Sequence, residues 1–330
     1  MKKLVVCLAV FTLAMSAMFA GAAFAAEKPY NIALIIKATD SDFWQYVIVG
    51  GTNYGLEFPE VAKVTNYGPP SEADIDKQVA IVEDVIASKP DAIVIASTSS
   101  DATVPALERA VDEGIVVITI DNKVNTDKVH SFLATNNTVG GALAADKMVE
   151  AMNAAGIPLK GKVAIVSAMA GIQVLDDRDA GFTEQMKKIA PEIEIIPPRY
   201  VDNDIIKALG VAEDLITAND DLIGIFADNN HTGDGVSRAI AEQKLEGKIM
   251  VTAFDSDPEE IKALESGAIK ALILQDPYGM GYKGCDFAVQ VLDGKEVPKY
   301  VDTGAVAVTK ENMNDEEIKG LLDPMLKKKQ

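Results

Sequence analysis

Ala92-Ile93-Val94-Ile95-Ala96, then Ala102–Glu113 closed by Gly114, then Ile115-Val116-Val117-Ile118-Thr119-Ile120-Asp121, is the stretch that decides the fold. A short β-branched run, an amphipathic stretch ending on a C-cap glycine, and a second β-branched run form one β-α-β unit. The unit recurs along the chain. Strands are expected at Ile32–Ile36, Val61–Tyr67, Lys162–Ser167, Ile193–Pro197, Leu222–Phe226, Ile249–Phe254 and Ile269–Leu274 as well. Helices are expected at Ala73–Ala87, Asn137–Asn153, Gly171–Ile189, Asp204–Ala218, Thr232–Leu245, Pro258–Ser266 and Pro277–Leu292. Ser71 to Asp74 has the form of an N-cap with an acid three residues on. Such repetition implies parallel sheets with right-handed crossovers. Several strands end on a polar residue: Lys37, Asp121, Asp228-Asn229, Asp255 and Gln275. In α/β sheets ligands bind at the carboxyl ends of strands, so these side chains are expected to converge on one pocket.

The strands before about residue 120 and those after about residue 160 each make a five-layer α/β set. The expected fold is therefore two Rossmann-like lobes, parallel sheets flanked by helices, joined by a three-segment hinge. Val129–Ala134 followed by Thr135-Asn136-Asn137 reads as the first crossing, Gln275–Pro277 as the second and Asp302–Gly304 as the third. The first lobe then takes residues 26–135 and 276–302, and the second 136–275 and 303–310. Residues 311–330 remain as a surface helix or loose tail.

Met1-Lys2-Lys3, the apolar Leu4–Phe19 and the small residues of Ala23-Phe24-Ala25 have the form of a secretory leader cleaved near Ala25/Ala26. The mature chain is expected to be exported, to the periplasm or another extracytoplasmic location. Cys7 lies inside the apolar core of the leader and not at a lipoprotein processing site. Removing Lys2 and Lys3 with the leader takes the formal charge from −19 to −21. A surface so acidic repels nucleic acid and anionic lipid. Only Cys285 survives cleavage, so no intramolecular disulfide is expected, and Cys285 reads as a buried small residue.

Motifs for chemistry are weak. Gly279-Met280-Gly281-Tyr282-Lys283-Gly284 matches a dinucleotide fingerprint literally, but Asp276-Pro277-Tyr278 separates it from the preceding strand. Its glycines are read as packing residues. Asp228 to Thr232 begins like a calcium loop, yet position twelve is Ala239 where a bidentate acid is required. His130 and His231 have no ligand partner at useful spacing, so no metal and no cofactor are expected. There is no GxSxG. Asp176, Asp177 and Asp179 suit a helix start. Asp121 and Asp255 have the residue types of a glycosidase pair, but equally accept hydrogen bonds from hydroxyls while ionised. Phe43-Trp44, holding the only tryptophan, reads as an apolar platform for the C–H face of a sugar ring.

Lys37 to Trp44 resembles the first-strand motif of the ribose- and allose-binding periplasmic proteins, in which a polar residue ends the strand and two aromatics follow. Ile118-Thr119-Ile120-Asp121, Arg178-Asp179-Ala180-Gly181-Phe182, Phe226-Ala227-Asp228-Asn229-Asn230, Ala253-Phe254-Asp255 and Leu274-Gln275-Asp276-Pro277 resemble further elements of that family, in order. The resemblance implies a type I periplasmic binding protein feeding an ABC importer. Phe43 and Trp44 would sandwich the ring, and Asp121, Arg178, Asn229, Asp255 and Gln275 would bond hydroxyls. Lys37 would add a donor. Ser41, Asn122, Thr135 and Asn203 complete the expected ligand-binding set.

Three positions depart from the family, one of them Asn230, which replaces an aspartate beside the pocket. Asn122 stands where the ribose type has arginine and the allose type glutamate, and Asn203 where both place a second-lobe aromatic. That leaves room for a furanose, an open-chain polyol or a more polar ligand. The expected ligand is a small neutral monosaccharide or polyol, captured by hinge closure by a monomer. The expected partners are permease subunits with an ATPase behind them, and a chemoreceptor or sensor kinase as a second class. Rival readings are a binding protein for a furanosyl quorum-sensing signal and a secreted sugar-processing enzyme. A sugar repressor shares this fold, but the expected leader and the lack of an N-terminal DNA-binding helix pair argue against that reading.

Overall fold

The computed structural model describes residues 29–329; the expected leader lies outside them. Two six-stranded sheets organise the chain. The first holds β1 (Tyr30–Ile35), β2 (Ala62–Tyr67), β3 (Ala92–Ile95), β4 (Val116–Ile120) and β5 (Ser131–Ala134). The second holds β6 (Gly161–Ser167), β7 (Ile193–Tyr200), β8 (Leu222–Ala227), β9 (Met250–Phe254) and β10 (Ala271–Leu274). Two short strands, β11 (Tyr300–Asp302) and β12 (Val306–Val308), complete the first and second sheets respectively. The strand orders, β2-β1-β3-β4-β5-β11 and β7-β6-β8-β9-β10-β12, are the same order repeated. Pairing is parallel except β10 with β12, where the chain re-enters the second sheet antiparallel.

The helices are α1 (Asp42–Glu57), α2 (Ile75–Ala87), α3 (Val104–Asp112), α4 (Asn137–Ala154), α5 (Gln173–Ile189), α6 (Ile205–Ala218), α7 (Asn230–Gln243), α8 (Pro258–Ser266), α9 (Pro277–Leu292) and α10 (Glu316–Leu322). Each sheet is covered on both faces, which is why its central strands read as unbroken apolar runs. In the first lobe Leu34, Val94 and Ile118 face α1 and α9, while Ile35, Ile93 and Val117 face α2 and α3. The second lobe repeats this, with α4 and α5 on one face and α6, α7 and α8 on the other.

Matching glycines hold the paired helices close. A Cβ on Gly50 would sit 2.1 Å from the Tyr278 carbonyl oxygen, and one on Gly281 2.1 Å from that of Val47. In the second lobe a Cβ on Gly141 would meet the Arg178 carbonyl at 2.0 Å, and one on Gly181 that of Thr138 at 2.1 Å. Side chains there would push α1 off α9 and α4 off α5. The glycine-rich match at 279–284 is thus part of a helix, and Gly284 lies where a Cβ would meet Val94 Cγ1 at 2.7 Å. Helix α1 escapes the periodicity reading because Gly50, Gly51 and Gly55 interrupt it with poor helix formers. Asp74, not Ser71, is the N-cap of α2. Edge strand β7 runs through Pro197-Pro198, which an edge tolerates because one side of its ladder is unpaired.

The chain crosses between the sheets three times: after β5, after β10 and between β11 and β12. The first and third crossings are tied together. Thr303 N donates to the Ala134 carbonyl at 3.0 Å, and Thr135 Oγ1 donates to the Gly304 carbonyl at 3.2 Å. The final segment joins both lobes. Met313 and Leu322 are buried in the second-lobe core, and Asn53 of α1 donates to the Lys327 carbonyl and accepts from Lys329 N.

Candidate functional site

Carboxyl ends of strands from both sheets face one cleft. Lys37 follows β1 and Asp121 follows β4; their Nζ and Oδ2 atoms lie 2.6 Å apart, almost wholly buried. Asp255 follows β9 and Gln275 follows β10; Gln275 Nε2 donates to Asp255 Oδ1 at 2.7 Å. Asp121 and Asp255 occupy the same place in the two lobes. Both hold left-handed backbone, with φ of +63° and +74°. That conformation is strained for a non-glycine residue and turns each carboxylate out of the strand direction.

Arg178, on α5, is 3 % exposed. Its Nε donates to Asn137 Oδ1 and its Nη1 to the Asp228 carbonyl, each at 2.8 Å. Its guanidinium carbon lies 4.1 Å from the Phe254 ring centroid, and its Nη1 is 4.0 Å from Asp255 Oδ2. Asn229 caps α7, accepting from Thr232 N at 3.0 Å. Its neighbour Asn230 reaches across the cleft, with Nδ2 3.4 Å from Ser41 Oγ.

Phe43 and Trp44 open α1 and meet edge-to-face, centroids 4.8 Å apart at 81°. Trp44 Nε1 donates to Glu72 Oε1 at 2.6 Å. Opposite them the start of α5 contributes Ile172, Val174 and Leu175. The cavity these side chains enclose is small, about 30 Å³.

Burial pushes the Asp255 carboxyl up to about 6; Arg178 and Gln275 pull it down, and Asp121 and Glu72 push it up. Beneath Arg178, burial raises the carboxyls of Asp228 and Asp179, and the Asp228 charge raises Asp179 further. Ser167 Oγ donates to Asp228, and Ala168 N donates to it at 2.9 Å. Burial thus raises all three acids on this wall above the ordinary carboxylate range.

Residues 32–296 match the periplasmic binding protein domain family. The chain belongs to that family. The D-allose-binding periplasmic protein of Escherichia coli is 30% identical over 289 residues, covering 85% of this chain and 90% of its own length. A carbohydrate transporter solute-binding protein from Agrobacterium radiobacter, solved with D-arabinose, superposes with a TM-score of 0.86 at 38% identity, over 90% of this chain and 100% of its own. An ABC transporter solute-binding protein from Agrobacterium vitis, solved with D-fucose, gives 0.83 at 34% identity, over 89% and 100%.

On this periplasmic binding protein frame, Lys37, Ser41, Phe43, Trp44, Asp121, Arg178, Asn229, Asp255 and Gln275 line the cleft. Three expected residues do not. Asn122 turns into its own lobe, its Nδ2 3.4 Å from Ser100 Oγ. Thr135 belongs to the crossings. Asn203 sits behind the wall, where its Oδ1 accepts from Asn229 Nδ2 at 2.7 Å. Of the lining residues, the sequence reading kept Asn230 out of the ligand-binding set and left out Glu72, Ile172, Val174 and Leu175. Glu72 stands in the polar loop past β2, Val174 and Leu175 stand one helical turn before Arg178, and Ile172 is the N-cap of the same helix. Positions relative to strand ends and to the arginine could have flagged them.

The remaining reactive groups lie apart from the cleft. His231 Nδ1 lies 3.0 Å from the Asn203 carbonyl, and His130 Nδ1 accepts from Val117 N at 3.1 Å. Cys285 is buried, and burial raises its thiol to about 12, which leaves it unreactive. Among the described residues no group of three acids, histidines or cysteines could hold a metal ion, and no helix is long and apolar enough to cross a membrane.

Proposed function

We propose that this protein captures a neutral monosaccharide between its lobes by hinge closure and delivers it to an ABC importer from the periplasm. The observation that carries the reading is the composition of the cleft. Phe43 and Trp44, in contact edge-to-face, cannot sandwich a ring between them and instead supply one apolar side. Carboxylates and cations from both lobes, with second-lobe amides, surround it. Sugar hydroxyls both donate and accept, so mixed charged donors and acceptors bond them without net charge transfer. Among the described residues Gln275 Oε1 is buried with no hydrogen-bond partner, which suits a ligand hydroxyl as donor.

Charge supports a neutral ligand. Lys37 and Arg178 face Glu72, Asp121 and Asp255, an acidic excess that repels sugar acids and sugar phosphates. The aliphatic side chains of Ile172, Val174 and Leu175 take the place of a second aromatic face and would cover the other C–H side of the ring. Ligand contacts from both lobes favour the closed state, so binding shifts the population towards it. Delivery to a transporter needs no bond-breaking step, and the protein is read as a binding protein, not an enzyme.

The test is thermal unfolding of leader-free protein, first unfolded and refolded to strip bound ligand, against D-allose, D-ribose, D-arabinose, D-fucose and their acids. A ligand at about 1,000 times its dissociation constant adds about 4 kcal/mol and raises the midpoint by several degrees. One or more neutral sugars should do so while the acids do not. A flat response to every sugar from a cooperatively unfolding protein would overturn the proposal.

A further inference from the structure

Trp44 is the only tryptophan of the chain and is 3 % exposed. A buried indole N–H needs an acceptor, and a ring without one is free to turn about its side-chain torsions or costs desolvation. The acceptor here is the half-buried Glu72, and at 2.6 Å the bond is short and charge-assisted. We infer that Glu72 is a positioning residue: it fixes the orientation of the Trp44 plate before any ligand arrives. The inference rests on the sugar-binding reading of the cleft.

The loop carrying Glu72 is built to hold it. Pro69-Pro70 restrict the backbone, Thr39 N donates to the Pro69 carbonyl at 3.0 Å, and Asp74 N donates to the Ser71 carbonyl at 3.0 Å. The first of these bonds ties the Glu72 loop to the loop that leads into α1, so donor and acceptor of the indole bond move together. Two further contacts leave the ring one orientation: Phe43 meets it edge-on, and Lys37 Nζ lies 5.4 Å from its centroid. Glu72, Phe43 and Lys37 all belong to the first lobe. The plate is therefore set in the open protein as well as the closed one, which lowers the ordering cost when a ligand docks.

Because Trp44 is alone, its emission and near-ultraviolet dichroism report this bond directly. Glu72→Ala should shift the emission maximum of the ligand-free protein by several nanometres and flatten the dichroism. It should weaken titrated D-arabinose and D-allose at least tenfold. Glu72→Gln keeps an acceptor oxygen for the indole and should restore the native spectrum and most of the affinity. Two results would overturn the inference: a Glu72→Ala protein with native spectrum and affinity, or a folded Glu72→Gln protein that behaves like Glu72→Ala. If no sugar binds even the native protein, the sugar-binding reading fails, while the spectra of the ligand-free variants still decide the role of Glu72.

Discussion

The two walls of the cleft stand on the same frame and do different work. In each lobe a β-α-β repeat points an aspartate with left-handed backbone at the cleft, Asp121 from one side and Asp255 from the other. The first-lobe wall adds a plate, Phe43 and Trp44, beside one buried ion pair. The second-lobe wall adds a network: Arg178 bonded to Asn137 and the Asp228 carbonyl, Gln275 bonded to Asp255, and Asn229 braced by Asn203. A plate accepts any ring with a C–H face, whereas a fixed network accepts one arrangement of hydroxyls. Shape selection is thus assigned to the first lobe and stereochemical selection to the second.

If that division holds, breaking the network costs more than breaking the plate. Arg178→Ala leaves buried carboxylates at Asp228 and Asp255 without their cation. It is expected to lower unfolding stability in urea by roughly 3–5 kcal/mol and to abolish sugar binding. Arg178→Lys should not restore either property, because a point charge cannot keep both fixed donors. Trp44→Ala removes only the plate. Titration should show an affinity loss of about 2 kcal/mol, with a smaller drop in stability than Arg178→Ala produces.

The acid of the second wall gives a pH signature. The Asp255 carboxyl is raised to about 6 in the folded protein, so folding favours its protonated form. Its contribution to stability is complete below the ordinary carboxylate range, falls as pH rises through about 6, and is absent above. Asp179 and Asp228 are raised too and act with the same sign. The ligand-free melting temperature should therefore drop between pH 5 and pH 7, and Asp255→Asn should shrink that drop. The smallest effect is expected at the brace. Asn203→Gly tolerates the φ of +55° but loses the bond to Asn229, which should cost about 1 kcal/mol in stability and leave the pH slope unchanged.

Seven central strands were legible because burial on both faces makes each a continuous apolar run between turns, whereas the edge strands β2 and β7 mix apolar with polar residues and are largely exposed. Helix α1 was not, since the glycines that admit α9 also weaken its helical pattern. Short β11 and β12 carry too few apolar residues to stand out, and they exist by pairing with β5 and β10. In the site, a polar residue ending an apolar run located Lys37, Asp121, Asp255 and Gln275. Asn122 and Asn203 came from the family resemblance, and in the structure local partners set where their side chains point. Glu72 was hidden because it stands several residues past the end of β2 and not at the strand end itself, and only the folded chain brings it to Trp44.

The central claim is that one sugar is held by both walls at once. Isothermal titration of D-arabinose, D-allose, D-ribose and D-fucose into refolded native protein, Trp44→Phe and Asp255→Asn tests it most directly. The account predicts saturable one-to-one binding of at least one sugar to the native protein. It also predicts weaker binding in both variants, by a larger factor in Asp255→Asn than in Trp44→Phe, which keeps an aromatic face. Native affinity in either variant would contradict a ligand clasped between the two walls.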